Sequence, residues 1–151
     1  MIVHWQYRAN RRKLLIFCNG WGMDELPFTA LASDAYDVVL LGDFRQMPPA
    51  AQILAEVASY AELTLVAWSM GVWAGQRLFA GEGNRFARTI AINGTLCPVS
   101  DRFGIPGELF VGTLSGWSEL ARKKFYHRLT ADRDTEKEFL VRQPRRTLID
   151  Q

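Results

Sequence analysis

The chain has 151 residues, of which 48% are hydrophobic and 23% are charged, a composition typical of one globular domain with a buried core. The net charge of +2 gives no indication of nucleic-acid binding, and no apolar run approaches the roughly 20 residues needed to span a membrane. Residues 1–13 lack the apolar core of a secretory signal. Cys18 and Cys97 lack metal-site spacing, which indicates reduced thiols in a cytoplasmic protein. We therefore expect no metal, cofactor, nucleic-acid or membrane partner.

Two strands are predicted at the start of the chain. Residues 2–7 show the two-residue period of a strand, and residues 13–18 form a continuous apolar run typical of a buried strand. The polar turn at residues 9–12 predicts that the two strands pair as an antiparallel hairpin. Basic residues gather at this turn, and we interpret them as a solvated edge that discourages aggregation.

A glycine-rich loop follows the second strand at residues 19–24, Asn-Gly-Trp-Gly-Met-Asp. Two glycines in four residues indicate unusual backbone angles or a close approach to a ligand. The alternative is a plain turn in which Asp24 caps a helix over residues 25–33.

Strands and helices then alternate along the chain. A buried strand is predicted at residues 36–41, a helix at 50–60, an apolar strand at 62–68, a helix from Met70 onward, and a strand at 87–93. This alternation favours an α/β fold with a mostly parallel sheet covered on both faces.

A lone serine stands where the strand over residues 62–68 changes to a helix, in the sequence Ala67-Trp68-Ser69-Met70-Gly71. This is the layout of a nucleophile elbow, a tight turn that lifts a serine Oγ out of the sheet edge. The turn needs small residues two before and two after the serine, and Ala67 and Gly71 supply them. The alternative is a buried strand that ends in a serine N-cap.

The elbow predicts a role for the glycine-rich loop. In acyl-transfer hydrolases, two backbone N–H groups hold the oxyanion, one from the loop after the corresponding strand and one from the residue after the nucleophile. Here those groups would belong to Trp21 and Met70.

The character of the sequence changes after Asn93. Residues 94–107 contain two prolines and three glycines, and apolar side chains then recur at helical spacing over residues 109–129, with a further helical turn or two at 135–141. Residues 105–146, called here the helical segment, resemble a lid inserted into a single domain over residues 1–151. Ordinary helical packing is the alternative. Residues 122–146 contain nine Lys or Arg against four Asp or Glu, a basic face that is either solvated or suited to an acidic carrier.

Four motifs together resemble the BioG family of pimeloyl-acyl-carrier-protein methyl ester esterases: residues 17–24, 67–72, 91–95 and 104–106. The resemblance implies an α/β-hydrolase fold and a cytoplasmic serine carboxylesterase of biotin synthesis. Such an enzyme hydrolyses the methyl ester of pimeloyl-acyl-carrier protein and releases methanol. A non-catalytic protein that binds acyl chains or the carrier, and a broad-specificity carboxylesterase, are the alternatives.

Individual residues receive expected roles, some from the motifs and others from composition and charge. Ser69 is the expected nucleophile, with Trp21 and Met70 as the oxyanion donors. The expected contacts with the acyl chain come from aromatic side chains: Trp21, Phe110, Trp117 and Phe125. The expected carrier-docking residues are basic: Arg122, Lys123, Lys124 and Arg128.

The general base is the missing part of the predicted site. Family members run well beyond 151 residues, and their triad has the order serine, acid, histidine, with late strands that this chain lacks. We do not expect His4, on the first strand, or His127, among basic residues on a helix, to serve as the base. Asp101 is more simply a solvated loop residue than a triad acid. We expect the 151-residue chain alone to lack esterase activity, because no histidine is expected beside Ser69. We also expect it to be poorly soluble or oligomeric, because its last strand would be a bare edge.

Overall fold

The computed structural model describes residues 1–146, which form one five-stranded sheet and five α-helices. The strands are β1 (Ile2–Tyr7), β2 (Lys13–Cys18), β3 (Tyr36–Gly42), β4 (Glu62–Trp68) and β5 (Arg88–Ile92). The helices are α1 (Ala50–Glu56), α2 (Met70–Leu78), α3 (Gly107–Ser115), α4 (Glu119–Leu129) and α5 (Arg133–Val141). Short 3-10 helices occur at Leu26–Phe28 and Gly83–Arg85.

The sheet has the order β1-β3-β2-β4-β5, and all its strands are parallel except β1. This confirms the predicted α/β class with a mostly parallel sheet. One face carries the main core, in which apolar side chains of β2, β3 and β4 pack against α1 and α2. Aromatic contacts cover part of the opposite face, where Phe28 packs edge-on against both Phe17 and Trp68.

The predicted N-terminal hairpin is wrong, although β1 is antiparallel as expected. β1 pairs with β3, with Ile2 opposite Gly42 and His4 opposite Leu40, while β2 lies on the far side of β3. The reason lies in burial. β2 is largely buried and suits a central position, whereas β1 is half-exposed and suits an edge.

Asp37 explains how the connection between β1 and β2 crosses the start of β3. Its side chain is fully buried and accepts hydrogen bonds from the backbone N–H groups of Ala9 (2.8 Å) and Arg11 (3.2 Å). Tyr60 Oη donates a third bond of 2.8 Å to the same carboxylate. The crossing is therefore held by a side chain that is distant in the sequence.

Two predicted helices and one alternative need correction. Residues 25–33 form only the 3-10 helix Leu26–Phe28, and α1 ends at Glu56 rather than near Tyr60. The single helix predicted over residues 109–129 is divided into α3 and α4. Gly116 ends α3, and the Ser118 side chain accepts a hydrogen bond from Ala121 N–H at the start of α4. A glycine and a capping serine close together favour this break over a continuous helix.

β5 forms an edge of the sheet, and all five of its residues are exposed. Ile90 and Ile92 are 46% and 42% exposed. Among residues 1–146, no strand pairs with the outer side of β5. An unpaired apolar edge can recruit another chain, so self-association of the 151-residue chain stays a prediction.

The buried Asp37 carboxylate should make the fold sensitive to acid. Burial raises the pKa of Asp37, but the hydrogen bonds from Ala9, Tyr60 and Arg11 outweigh this and leave it below the ordinary value of 3.8. Because the pKa is lower in the folded state, the ionised carboxylate stabilises the fold at pH values above the ordinary pKa. This stabilisation is lost as the pH falls through the pKa of the folded state. We expect Asp37→Asn to lower the free energy of unfolding at pH 7 by about 2 kcal/mol. Urea titrations between pH 7 and pH 3 should show the difference from wild type shrinking below about pH 4.

Asp134→Asn is the matched control, because that carboxylate is 90% exposed and, among residues 1–146, pairs only with Lys137 on the surface. Its effect should stay within about 0.5 kcal/mol at every pH. A constant difference between wild type and Asp37→Asn from pH 7 to pH 3 would contradict the role given to the ionised carboxylate.

Candidate active site

Ser69 has the backbone of a nucleophile elbow. It lies between β4 and α2 with φ 57° and ψ −126°, a region that residues other than glycine rarely occupy. Its N–H donates to Ile92 O (2.9 Å), and its carbonyl accepts from Val72 N–H (3.1 Å). The Ser69 side chain makes no capping hydrogen bond to α2. The geometry therefore favours the elbow over the N-cap alternative, and such strain is typical of functional sites.

Close backbone packing supports the elbow. A Cβ atom at Gly71 would lie 2.2 Å from Cys18 O and 2.5 Å from Asn19 O, so only glycine fits there. A Cβ atom at Gly94 would lie 2.3 Å from Ser69 O. The motif predicts a glycine at position 71. It gives no sign that Gly94 is needed, because Gly94 lies in the loop after β5 and contacts the elbow across the fold.

The glycine-rich loop at residues 19–24 lies directly against the elbow. A Cβ atom at Gly20 would lie 3.3 Å from Ser69 Cβ and 3.1 Å from the Trp68 ring. Gly22 has φ 73°, which a glycine adopts without strain. Among the described residues, no backbone or side-chain acceptor takes the N–H of Trp21 or Met70.

A small cavity of about 110 Å³ adjoins Ser69 on the β5 side. It is bounded by the elbow and by the loop that follows β5: Ser69, Met70, Asn93, Gly94, Thr95, Pro98, Gly104 and Ile105. Asn93 has φ 43°, so the chain turns sharply as it leaves β5. Two of the four motifs behind the family resemblance, residues 91–95 and 104–106, thus contribute to the cavity wall.

The four aromatic residues expected at the substrate site lie in one cluster. The Trp21 ring centroid is 4.6 Å from that of Trp117, 5.7 Å from Phe125 and 6.4 Å from Phe110. Trp21 belongs to the glycine-rich loop, and the other three belong to α3, α4 and the turn between them. The buried Trp117 Nε1 has no hydrogen-bond partner among the described residues. The helical segment therefore packs directly on the residue whose N–H was expected to bind the oxyanion.

A hydrogen bond connects the end of the helical segment to the same loop. Arg145 N–H donates to Asp24 Oδ2 (2.7 Å), and the other oxygen of Asp24 accepts from Leu26 N–H (3.0 Å). Arg146 Nη2 lies 3.5 Å from Asp43 Oδ1. Hydrogen bonding to Arg45 is the main cause that lowers the pKa of Asp43 to about 2, and the charge of Arg146 adds to it. Asp24 thus connects the glycine-rich loop to the distant Arg145, and it caps no helix over residues 25–33, as the alternative had it.

The four basic residues expected to dock a carrier divide into two kinds. Lys123, Lys124 and Arg128 are exposed on α4. The Arg122 side chain is only 16% exposed and donates to Glu119 Oε2 (2.7 Å) and Arg146 O (3.1 Å). Arg122 therefore holds the helical segment together, while the other three face outward.

Neither histidine lines the cavity beside Ser69. His4 lies on β1, and His127 Nδ1 is 2.9 Å from Glu136 Oε2, between α4 and α5. Asp101 accepts a hydrogen bond from Gly107 N–H (3.0 Å) within its own loop. Within residues 1–146 there is also no group of three side chains arranged to hold a metal ion, and no helix is long and apolar enough to cross a membrane.

Gly71 should be indispensable to this geometry. Gly71→Ala would place a methyl group in steric clash with two backbone carbonyls, which cannot move independently of each other. We therefore expect the free energy of unfolding to fall by about 3 kcal/mol or more. Gly112→Ala is the control, because no atom outside its own helix lies within 4 Å of its added Cβ, and it should stabilise α3 by up to about 1 kcal/mol. The measurement is the melting temperature of both variants and of the wild type. A melting temperature for Gly71→Ala equal to that of the wild type would refute the close packing.

Comparison with known proteins identifies the family. The sequence model of "Pimeloyl-ACP methyl esterase BioG" matches residues 3–150. A "Malonyl-[acyl-carrier protein] O-methyltransferase" of Bacteroides fragilis is 35% identical over 90% of this chain, which spans 27% of that protein. An uncharacterised protein of Haemophilus influenzae is 34% identical over 84% of this chain, which spans 57% of that protein.

A solved structure agrees with these matches. The crystal structure of BioG from Haemophilus influenzae has a TM-score of 0.82 and 28% identity, and the match covers 99% of this chain and 67% of that one. The chain thus spans between about a quarter and about two thirds of the lengths of these relatives. The family match covers nearly the whole chain, and the chain belongs to the BioG family of pimeloyl-ACP methyl esterases.

Proposed function

We propose that this chain carries the nucleophile and the oxyanion hole of a serine carboxylesterase that hydrolyses the methyl ester of pimeloyl-acyl-carrier protein in biotin synthesis. The observation that carries the proposal is Ser69, held at φ 57° against a loop whose Trp21 N–H is unpaired among the described residues. Membership of a family described as pimeloyl-ACP methyl esterases supplies the substrate class. A cytoplasmic location follows from this role in metabolism.

The proposed chemistry has two steps. Ser69 Oγ attacks the ester carbonyl carbon as a base takes its proton, and the oxyanion accepts hydrogen bonds from the N–H groups of Trp21 and Met70. The C–O bond to the methoxy group breaks, and methanol leaves with the proton. Water then attacks the acyl-serine, which releases the carboxylate and restores Ser69. We propose that the base is a histidine from outside residues 1–151, because His4 lies on β1, which β3 and β2 separate from β4, and His127 is paired with Glu136.

The aromatic cluster supports the assignment of the acyl chain. Trp21, Phe110, Trp117 and Phe125 offer apolar faces to a linear methylene chain that reaches Ser69. Each buried methylene would contribute about 0.8 kcal/mol to binding, so a chain of pimeloyl length gains more than a short acid does.

The exposed basic residues of α4 support the assignment of the partner. Lys123, Lys124 and Arg128 face outward on the helix that also supplies Phe125 to the cluster. A carrier protein with an acidic surface would dock there by charge complementarity and deliver its acyl chain to the cluster.

A non-catalytic role is the second candidate, because no histidine among residues 1–146 lines the cavity beside Ser69. In that case the cluster would bind an acyl chain, or α4 a carrier, without hydrolysis. A broad carboxylesterase would differ from both by hydrolysing unrelated short esters as well as the carrier-linked one.

The nucleophile can be tested in a chimera that fuses the C-terminal third of the Haemophilus influenzae BioG chain after Gln151 of this chain. We expect this chimera to react with a fluorophosphonate probe and to hydrolyse the carrier-linked methyl ester. Ser69→Ala should abolish labelling and lower turnover on the order of 10⁶-fold.

Ser115→Ala, at the end of α3, is the matched control and should leave both readouts unchanged. Labelling that persists in Ser69→Ala would place the nucleophile elsewhere. A folded chimera that binds the carrier but hydrolyses nothing would favour the non-catalytic candidate.

The docking surface can be tested in the same chimera. Reversing Lys123 and Lys124 to Glu should raise KM for the carrier-linked ester about tenfold, because two attractive charges become repulsive. A small soluble ester does not use that surface and should be hydrolysed as before. Raising the ionic strength should reduce the difference, since exposed charges are screened beyond about 8 Å at physiological salt.

Arg12→Glu with Arg85→Glu is the control for net charge. Both residues are exposed and precede β2 and β5, at the amino end of these parallel strands. If this pair raises KM by the same factor, net charge alone explains the effect of the Lys123 and Lys124 reversal. That result would contradict docking on α4.

A further inference from the structure

Asn19 is a buried polar residue to which neither the resemblance nor the proposed chemistry assigns a role. It follows β2 directly, begins the glycine-rich loop and is 2% exposed. An amide buried without partners would destabilise the fold, so its contacts define what it does.

The Asn19 side chain spans the loop from within. Nδ2 donates to Met23 O at 3.3 Å and reaches Asp24 O at 3.5 Å, while the backbone N–H of Asn19 donates to Leu41 O at 3.0 Å. The first residue of the loop is thereby tied to its last two residues and to β3. Between these anchors lie only Gly20, Trp21 and Gly22.

The orientation of the Asn19 amide follows from its neighbours. Both contacts are backbone carbonyls, so the nitrogen must face them, because the reverse orientation would oppose oxygen to oxygen. Oδ1 has no hydrogen-bond partner among the described residues. A Cβ atom at Gly42 would lie 2.8 Å from that oxygen, so the amide fits only beside a glycine.

We propose that Asn19 is a positioning residue that fixes the Trp21 N–H as an oxyanion donor. This inference rests on the proposed function, in which that N–H binds the oxyanion. Two glycines in the loop allow many backbone conformations, and the Asn19 bridge selects one of them. Oxyanion donors act over about 2.7–3.1 Å, so a shift of about 1 Å in the loop would weaken the bond greatly.

Two substitutions of Asn19 separate this role from general stability. Asn19→Asp keeps the shape and the free oxygen but turns the donor into an acceptor that faces two carbonyls. Asn19→Leu keeps a similar volume and, unlike Asn19→Asp, removes the amide without adding a charge. Thr64→Val is the matched control, because Thr64 is buried on the adjacent β4, and its Oγ1 has no partner among the described residues.

The first measurement is amide hydrogen exchange in the 151-residue chain. We expect both Asn19 variants to exchange at least about tenfold faster at Met23, whose N–H donates to Gly20 O across the loop (3.4 Å), with protection in β4 unchanged. Thr64→Val should leave the loop as it is. Wild-type exchange at this amide in folded Asn19→Leu overturns the positioning role.

The second measurement is turnover of the chimera with the carrier-linked methyl ester. Both Asn19 variants should lose about 10²-fold in kcat with KM nearly unchanged, while Thr64→Val keeps its kcat. An equal kcat loss in Thr64→Val, or none in the Asn19 variants, overturns the inference. Absence of Ser69-dependent turnover when Asn19 is intact overturns the proposed function and with it the oxyanion role, whereas exchange still decides whether Asn19 holds the loop.

Discussion

The candidate site depends on one close contact, where the first turn of α2 meets the end of β2. Gly71 lies so near the carbonyls of Cys18 and Asn19 that no side chain can occupy its position. This contact brings the strained Ser69 against Gly20 and sets the glycine-rich loop beside the elbow. The strain at Ser69 persists because its backbone is bonded to both Ile92 and Val72.

The same loop connects the site to the helical segment. Trp21 contributes its ring to the aromatic cluster and its N–H to the proposed oxyanion hole, so packing on one side constrains the donor on the other. Asp24 adds a second tie through Arg145, and Asn19 spans the loop from inside. A short glycine-rich loop would otherwise be mobile, and three separate interactions restrict it.

The sheet distributes stability and chemistry to opposite ends. Asp37 fastens the amino end of β3 with three hydrogen bonds from segments distant in sequence. Ser69, the glycine-rich loop and the cavity lie at the carboxyl end, where parallel strands usually place ligands. β5 remains an exposed edge of the sheet beside the elbow. The same side of the site lacks its proposed base, because no histidine among residues 1–146 lines the cavity at Ser69.

The sequence by itself determined the α/β class, the elbow and the position of the glycine-rich loop, because these depend on local periodicity and on small residues at fixed spacing. It also singled out four aromatics that turn out to form one cluster. The tertiary structure alone decided the partner of β1, since β3 takes that place once β2 is buried in the centre of the sheet. It likewise revealed the bond between Asp24 and Arg145, the inward turn of Arg122 and the Asn19 bridge. Strand order and side-chain contacts between distant segments depend on competition for burial, which no local pattern records.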